Sequence, residues 1–192
     1  LVDLSMSLDQ ISPLCKDIEG MSLMLDVISG KSESDPSKIN FKDKKINESI
    51  EDISKIKIGL CPEFEKLTSN KQIYSLIEEK ANKLSDETSS VVKKVSLKNI
   101  HLAVQSYYPI VYVELFSGTR KLDGRRYGKK IEDFCGEEVY RRIIGGREIS
   151  RAEYDGQYYK KALGAKKIIE DELNNAFKEV DIIISPTTPE IA

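Results

Sequence analysis

The stretch Ile56-Lys-Ile-Gly-Leu-Cys61 alternates apolar and other residues and is followed by Pro62, which predicts a β-strand ended by its proline. Residues 70–84 have helical spacing, and five apolar side chains are expected to face inward: Ile73, Leu76, Ile77, Ala81 and Leu84. Residues 91–97 predict a second strand. A strand, a helix and a strand in this order form a βαβ unit, so we predict a parallel strand pair in an α/β fold.

Before this unit, residues 1–14 predict a loop, and Asp17 precedes a helix that Gly30 ends. Its apolar residues share one face, which we expect to pack in the core: Ile18, Met21, Leu25 and Ile28. Residues 31–55 are polar and weakly periodic, so we interpret them as a surface linker. No glycine-rich turn follows the first strand, which excludes a dinucleotide-binding fingerprint there.

After the unit, the sequence predicts mainly helices. Residues 100–116 form a long apolar segment with Pro109 as a possible kink, and residues 120–130 form a basic loop rich in turn residues. A long helix is expected from about Arg151 to Val180. Residues 181–185 then predict a short, fully apolar strand of the kind found in the middle of a sheet.

The most informative charges lie in the stretch Gly136-Glu-Glu-Val-Tyr-Arg-Arg-Ile-Ile-Gly-Gly146. The acidic pair suits a helix N-terminus, and the paired glycines predict the end of the helix. Arg141 and Arg142 are consecutive and would point about 100° apart, so one must lie near the buried face. That guanidinium is either a fork for a carboxylate ligand or a surface partner of Glu137 or Glu138.

Composition sets outer bounds on function. The chain has 192 residues, 40% of them hydrophobic and 32% charged, and a formal net charge of −2, which argues against nucleic-acid binding through the overall field. No run is long enough for a membrane helix, and no signal-peptide pattern opens the chain, so we expect no membrane contact. The odd number of cysteines suits a reducing cytosol, so we expect a cytoplasmic protein. Three widely spaced cysteines match neither a disulfide framework nor a zinc site.

The residues present no convincing catalytic constellation. His101 is the single histidine and is more easily interpreted as structural, and no metal site is expected. Binding is more plausible, since Arg142 offers a carboxylate fork, and Tyr107 and Tyr108 offer hydroxyls on an apolar segment. Core packing of these tyrosines is the competing interpretation.

Several motifs together resemble the amidase signature family. They are Ser7-Leu-Asp-Gln-Ile-Ser-Pro13, Ile28-Ser-Gly30, Lys57-Ile-Gly59, Pro62-Glu63, Ser106-Tyr-Tyr108, Glu114, Asp123-Gly-x-Arg-Tyr-Gly128, Gly136-x-Glu-Val-x-Arg-Arg-Ile143, Tyr158-Tyr-Lys-Lys161 and Pro186-Thr-x-Pro189. The Asp-Gly-x-Arg-Tyr-Gly and Glu-Val-x-Arg-Arg-Ile motifs are similar to one branch, the A subunits of tRNA-dependent amidotransferases. The resemblance runs from end to end and thins in residues 31–55.

The resemblance implies an α/β fold with a mixed sheet covered by helices, of which residues 1–192 form a C-terminal-half fragment incomplete at both ends. It implies that the family's Ser-Ser-Lys core lies upstream of Leu1, so no catalytic residue is assigned. The family's glutamine contacts fall on Tyr107 and Arg142, and a further aspartate lies beyond Ala192. The fragment alone is expected to be inactive.

The same resemblance implies the partners. Ammonia from glutamine would pass to the B subunit of the amidotransferase, which uses ATP and Mg to activate Glu-tRNA(Gln) or Asp-tRNA(Asn), with the C subunit completing the complex; no cofactor is implied for this chain. Two alternatives stay open: a stand-alone amidase of the same family, and a non-catalytic module that only binds the partner subunits or tRNA.

Overall fold

The computed structural model describes residues 3–29, 54, 56–122, 124, 127–151 and 154–191. The chain divides into two units: Leu1–Asp9 together with Lys55–Ala192, and Gln10–Ser54. The predicted linker at residues 31–55 lies almost wholly outside the described residues. In the unit Gln10–Ser54, the described regular element is α1, Ile18–Ile28.

Helix α1 begins as the sequence predicts. The Asp17 side chain accepts a hydrogen bond from the Gly20 N–H at 2.7 Å and so caps the helix. The predicted core packing is wrong, because Ser22 is the buried residue of the helix and Ile18 is 76% exposed. The apolar periodicity is real, but the described part of this unit supplies no second element against which that face can pack.

The larger unit is built on three parallel strands, β1 Lys57–Leu60, β2 Val91–Lys94 and β3 Ile182–Ile184, in the order β2-β1-β3. This confirms the predicted parallel pair and the α/β class. Ile58 lies opposite Val92 on one side and Ile182 on the other. The apolar sequence of β3 predicts a place in the middle of the sheet, yet among the described strands β3 is an edge.

Helices cover both faces of this sheet. Ile58 and Leu60 lie two residues apart on one face and pack with Ala81 of α3 (Lys71–Thr88). Gly59 faces the other way, where an added Cβ would lie 2.9 Å from Cγ2 of Val180. Val180 and Ala176 pack there with Cys61, Val95 and Leu97.

The connection from β1 to β2 contains a helix that the sequence pattern does not predict. Pro62 does end the strand, but it is also the first residue of α2, Pro62–Leu67. Helix α3 begins as predicted and ends four residues later than residue 84. Its inward face is rotated from the prediction, because Tyr74 is buried whereas Leu76 and Leu84 are exposed.

The remaining helices pack against one another, and the C-terminal end of the last one also covers the sheet. A 3₁₀ turn at Ile100–Leu102 leads into α4, Ala103–Thr119, which continues through Pro109. Helix α4 packs against α5, Glu137–Ile149, and α6, Gln157–Ala176. Helix α6 is shorter at both ends than predicted, and Gly156, with φ of +66°, sets its start.

Helix α5 does not end at its two glycines as predicted; it runs three residues further. The reason is packing. A Cβ at Gly146 would overlap the main-chain carbonyl of Tyr112 and lie 2.7 Å from Cβ of Phe116, and one at Gly145 would lie 2.7 Å from the Tyr112 ring. The glycines therefore let α5 cross α4 at very short range.

Candidate functional site

The two arginines of α5 face different surroundings. They are consecutive on the helix, and the Arg141 side chain is 57% exposed whereas that of Arg142 is 21% exposed. Arg142 is thus the arginine at the edge of the buried face, as the spacing predicts. Gly146 lies one turn further along the same side of α5, so the close crossing with α4 brings Arg142 towards that helix.

Glu138 binds both arginines. Its carboxylate accepts Arg141 Nε at 2.8 Å and Arg141 Nη2 at 2.7 Å, and Arg142 Nε at 2.7 Å. The hydrogen bonds from Arg141 and then Arg142 lower the pKa of Glu138 to about 2. The surface pairing left open by the sequence is therefore present. Glu138 accepts a hydrogen bond from Arg142 through Nε, so the outer edge of the Arg142 guanidinium does not take part in this ion pair.

Tyr107 and Arg142, the two predicted site residues, lie together. The Glu138 carboxylate raises the pKa of Arg142, and the neighbouring Tyr107 side chain adds a smaller rise. Tyr107 is 39% exposed, so the alternative of a fully core-packed tyrosine is wrong. A guanidinium and a phenol hydroxyl at one surface suit an anionic, planar group such as a carboxylate.

A row of tyrosine rings on α4 supports this pair. Tyr107 and Tyr108 meet edge to face with their centroids 5.4 Å apart, and Tyr108 meets Tyr112 in the same way at 5.7 Å. Arg141 donates a hydrogen bond to the Tyr112 hydroxyl and lies over that ring at 5.5 Å. The Tyr108 ring restricts the orientation of Tyr107 from one side. Arg141 connects Tyr112, the last ring of the row, to α5.

A small cavity lies beside the Tyr107 ring. Its volume is about 200 Å³, and its lining is largely apolar: Leu8, Ala103, Ser106, Tyr107, Ile110, Lys166 and Ile169. These residues come from α4, α6 and the segment before Asp9. Tyr107 is thus the residue that connects this apolar recess with Arg142.

The role of Glu114 is not predicted by the sequence. This residue lies on α4 and accepts hydrogen bonds from the hydroxyls of Ser5, Ser7 and Tyr159 at 2.6, 2.6 and 3.0 Å, and from the Ser7 N–H at 3.0 Å. The available signal is an acidic residue within an apolar helical segment. What sequence spacing cannot supply is the contact with residues more than one hundred positions away.

His101 and Cys61 make hydrogen bonds with residues close to them in sequence. His101 is exposed, with ring Nδ1 3.1 Å from the Lys98 carbonyl oxygen. Cys61 is fully buried, and burial first, then hydrogen bonding with Glu63, raises the pKa of its thiol to about 11. No cluster of three or more potential metal ligands occurs among the described residues. None of the helices in the described ranges is long and apolar enough to cross a bilayer.

Comparison with known proteins gives a consistent result along the whole chain. The family model described as Amidase matches residues 1–192. The chain is 44% identical to the A subunit of glutamyl-tRNA(Gln) amidotransferase from Methanobrevibacter smithii over 193 residues, and 43% identical to that of Methanothermobacter thermautotrophicus. These matches take in 100% of this chain but only 42% and 41% of those relatives.

Solved structures agree. The crystal structure of the A subunit of glutamyl-tRNA(Gln) amidotransferase from Thermotoga maritima is similar with a TM-score of 0.69 at 33% identity, covering 95% of this chain and 38% of that one. A bacterial aryl acylamidase of the amidase signature enzymes has a TM-score of 0.67 over 90% of this chain and 37% of its own, but at 16% identity it supports the fold alone. The chain belongs to the amidase family, and its α/β fold is part of the amidase-signature fold.

Proposed function

We propose that this chain is the C-terminal-half part of the glutaminase subunit of a tRNA-dependent amidotransferase, and that it carries part of the glutamine pocket. The observation that carries the proposal is the proximity of Arg142, on α5, to Tyr107, which lies on the adjacent helix α4 and lines a small apolar cavity. The similarity to amidotransferase A subunits over the whole chain supports the same reaction class.

In this proposal the α-carboxylate of glutamine binds the outer edge of the Arg142 guanidinium, and the Tyr107 hydroxyl provides a second polar contact. Glu138 holds Arg142 through Nε and so fixes the plane of the fork before the ligand arrives. The apolar wall beside Tyr107 accommodates the aliphatic part of the substrate.

The nucleophile that attacks the amide comes from residues outside this chain, so the fragment alone does not hydrolyse glutamine. Ammonia released from the amide passes to the B subunit, where ATP and Mg activate Glu-tRNA(Gln) or Asp-tRNA(Asn), and the C subunit completes a cytoplasmic complex. The presence of both Arg142 and Tyr107 argues for an amino-acid substrate and against a stand-alone amidase acting on other amides. A non-catalytic interaction module predicts that Arg142 can be lost without effect on glutamine turnover by the intact protein.

The test is glutamine hydrolysis by the full-length protein that carries this chain, in complex with its partner subunits. Loss of the charge-assisted contact in Arg142→Ala should cost about 2–4 kcal/mol, which lowers kcat/KM roughly 30-fold or more, mostly through KM. Arg147→Ala is the matched control, because Arg147 lies on the same helix, is 58% exposed and pairs loosely with Glu148 at 3.7 Å. Equal turnover by the two variants would refute the proposal.

A further inference from the structure

The segment before Asp9 forms a closed turn, which we call the strap and define as residues 4–9. The Ser5 carbonyl accepts hydrogen bonds from Leu8 N–H at 3.1 Å and Asp9 N–H at 2.8 Å. The Asp9 side chain in turn accepts the Leu4 N–H at 2.8 Å. The strap therefore has a defined shape although it contains no helix or strand.

Glu114 fastens this turn to α4. Three of the four hydrogen bonds that its carboxylate accepts come from the strap: two from hydroxyls, Ser5 and Ser7, and one from the Ser7 main chain. Ser5 is 1% exposed, so its hydroxyl is removed from water and depends on this contact. Burial alone would raise the pKa of Glu114, but the hydrogen bonds from Ser5 and Ser7 outweigh it and lower the pKa, which keeps the carboxylate charged.

The anchored strap reaches the site described above. Glu114 follows Tyr107 by seven residues, two helical turns, so both lie on one side of α4. Leu8, the residue after Ser7, lines the cavity beside Tyr107. Lys166, another lining residue, points its Nζ at the Ser7 carbonyl oxygen at 3.4 Å, which links the strap to α6.

We propose that the strap is one wall of the glutamine pocket, and that Ser5, Ser7 and Glu114 are positioning residues that hold Leu8 against the substrate. The inference rests on the proposed function and adds to it a pocket wall drawn from a segment about one hundred residues away in sequence. In this inference none of the three residues touches the reacting amide. Their effect on turnover runs through the affinity for glutamine.

The experiment uses the full-length protein with its partner subunits and compares two variants that both remove hydroxyl donors from Glu114. Ser5→Ala/Ser7→Ala releases the strap, whereas Tyr159→Phe removes a donor located on α6. We expect the double variant to raise the KM for glutamine about tenfold, as for a lost hydrogen bond to a charged group, with kcat within about twofold. We expect the KM of Tyr159→Phe to stay within about twofold of wild type.

Amide hydrogen exchange provides a readout besides activity. Exchange at Ser7 and Leu8 should accelerate in the double variant and remain as in wild type in Tyr159→Phe, because only the former frees the strap. Ser7→Ala alone serves if the double variant does not fold; Ser7 is exposed, so its truncation leaves no core void, and a KM about threefold above wild type is expected.

The outcomes separate the two proposals. Suppose that Arg142→Ala raises the KM for glutamine, while the strap variants show faster amide hydrogen exchange and an unchanged KM. The proposed pocket is then supported, but the strap is not its wall. If Tyr159→Phe raises KM as much as the strap variants, the Glu114 cluster acts by general stability, and the inference is wrong. If Arg142→Ala also leaves the KM for glutamine unchanged, the proposed function itself is wrong.

Discussion

Gly146→Ala is the sharpest structural test of how the site is built. Helix α5 crosses α4 so closely at Gly146 that an added methyl group would overlap the Tyr112 carbonyl and lie 2.7 Å from Cβ of Phe116. Carbon atoms in contact normally stand about 3.5–4.0 Å apart, so the helices must separate by roughly 1 Å or more. A main-chain carbonyl cannot rotate away from the methyl group as a side chain can.

The expected loss follows from two opposing effects. Alanine is better than glycine in a helix interior by about 1 kcal/mol. Forcing an extra methyl group into a packed interface costs about 1–3 kcal/mol and occasionally more, and the rigid main-chain contact places this case at the upper end. We expect a net loss of about 2 kcal/mol. Because the full-length relatives are more than twice as long as this chain, that loss corresponds to a fall in Tm of about 2 °C.

The assay is thermal unfolding of the full-length protein, with Gly164→Ala as the control. Gly164 also lies inside a helix, but nothing is within 4 Å of the position of its Cβ, so alanine there should be neutral or stabilising. Gly146→Ala should also raise the KM for glutamine, since it moves Arg142 away from Tyr107. A Gly146→Ala protein as stable as Gly164→Ala would refute the close crossing and the site built on it.

Two further predictions concern titratable groups near the sheet. Cys61 should resist iodoacetamide at pH 8 in the native protein while Cys15 and Cys135 are labelled, because a pKa of about 11 leaves roughly one Cys61 thiol in a thousand ionised. Peptide mapping by mass spectrometry checks this, and labelling of Cys61 in the native protein would contradict it. Burial raises the pKa of Glu63, but the hydrogen bonds from Cys61 and Ser96 outweigh burial and lower the pKa to about 2. Because the folded-state pKa is the lower one, this carboxylate's contribution to stability is complete above about pH 4.3 and is lost as the pH falls towards 2. Urea unfolding should therefore show a smaller loss of stability over that interval in Glu63→Gln than in wild type, and equal losses would contradict the assignment.

The elements that the sequence predicts correctly are those whose signals are local. Alternation before Pro62 predicts β1, and the order of strand, helix and strand predicts the parallel pair with β2. The angle between Arg141 and Arg142 predicts that one arginine faces inward, and the structure shows that it is Arg142. Each of these follows from the geometry of one segment taken by itself.

The errors arise where a distant contact overrides a local rule. Gly145 and Gly146 predict a helix end, but tertiary packing against Tyr112 uses glycine for close approach instead. Glu114 stands out within an apolar helix, yet its partners Ser5 and Ser7 are more than one hundred residues away. The prediction for α1 fails in a different way. Its periodicity predicts that the apolar face is buried, but periodicity does not tell which other element would cover that face.

The most direct test of the central claim compares glutamine with the amide of 4-aminobutyric acid, which is glutamine without its α-carboxylate. In the wild-type complex, kcat/KM for glutamine should exceed that for the analogue by roughly 30-fold or more, the value of a charge-assisted carboxylate contact. In Arg142→Ala this preference should largely disappear, because the residue that binds the carboxylate is absent. A variant that keeps the full preference would show that another group binds the carboxylate, and that the pair of Arg142 and Tyr107 is not the glutamine site.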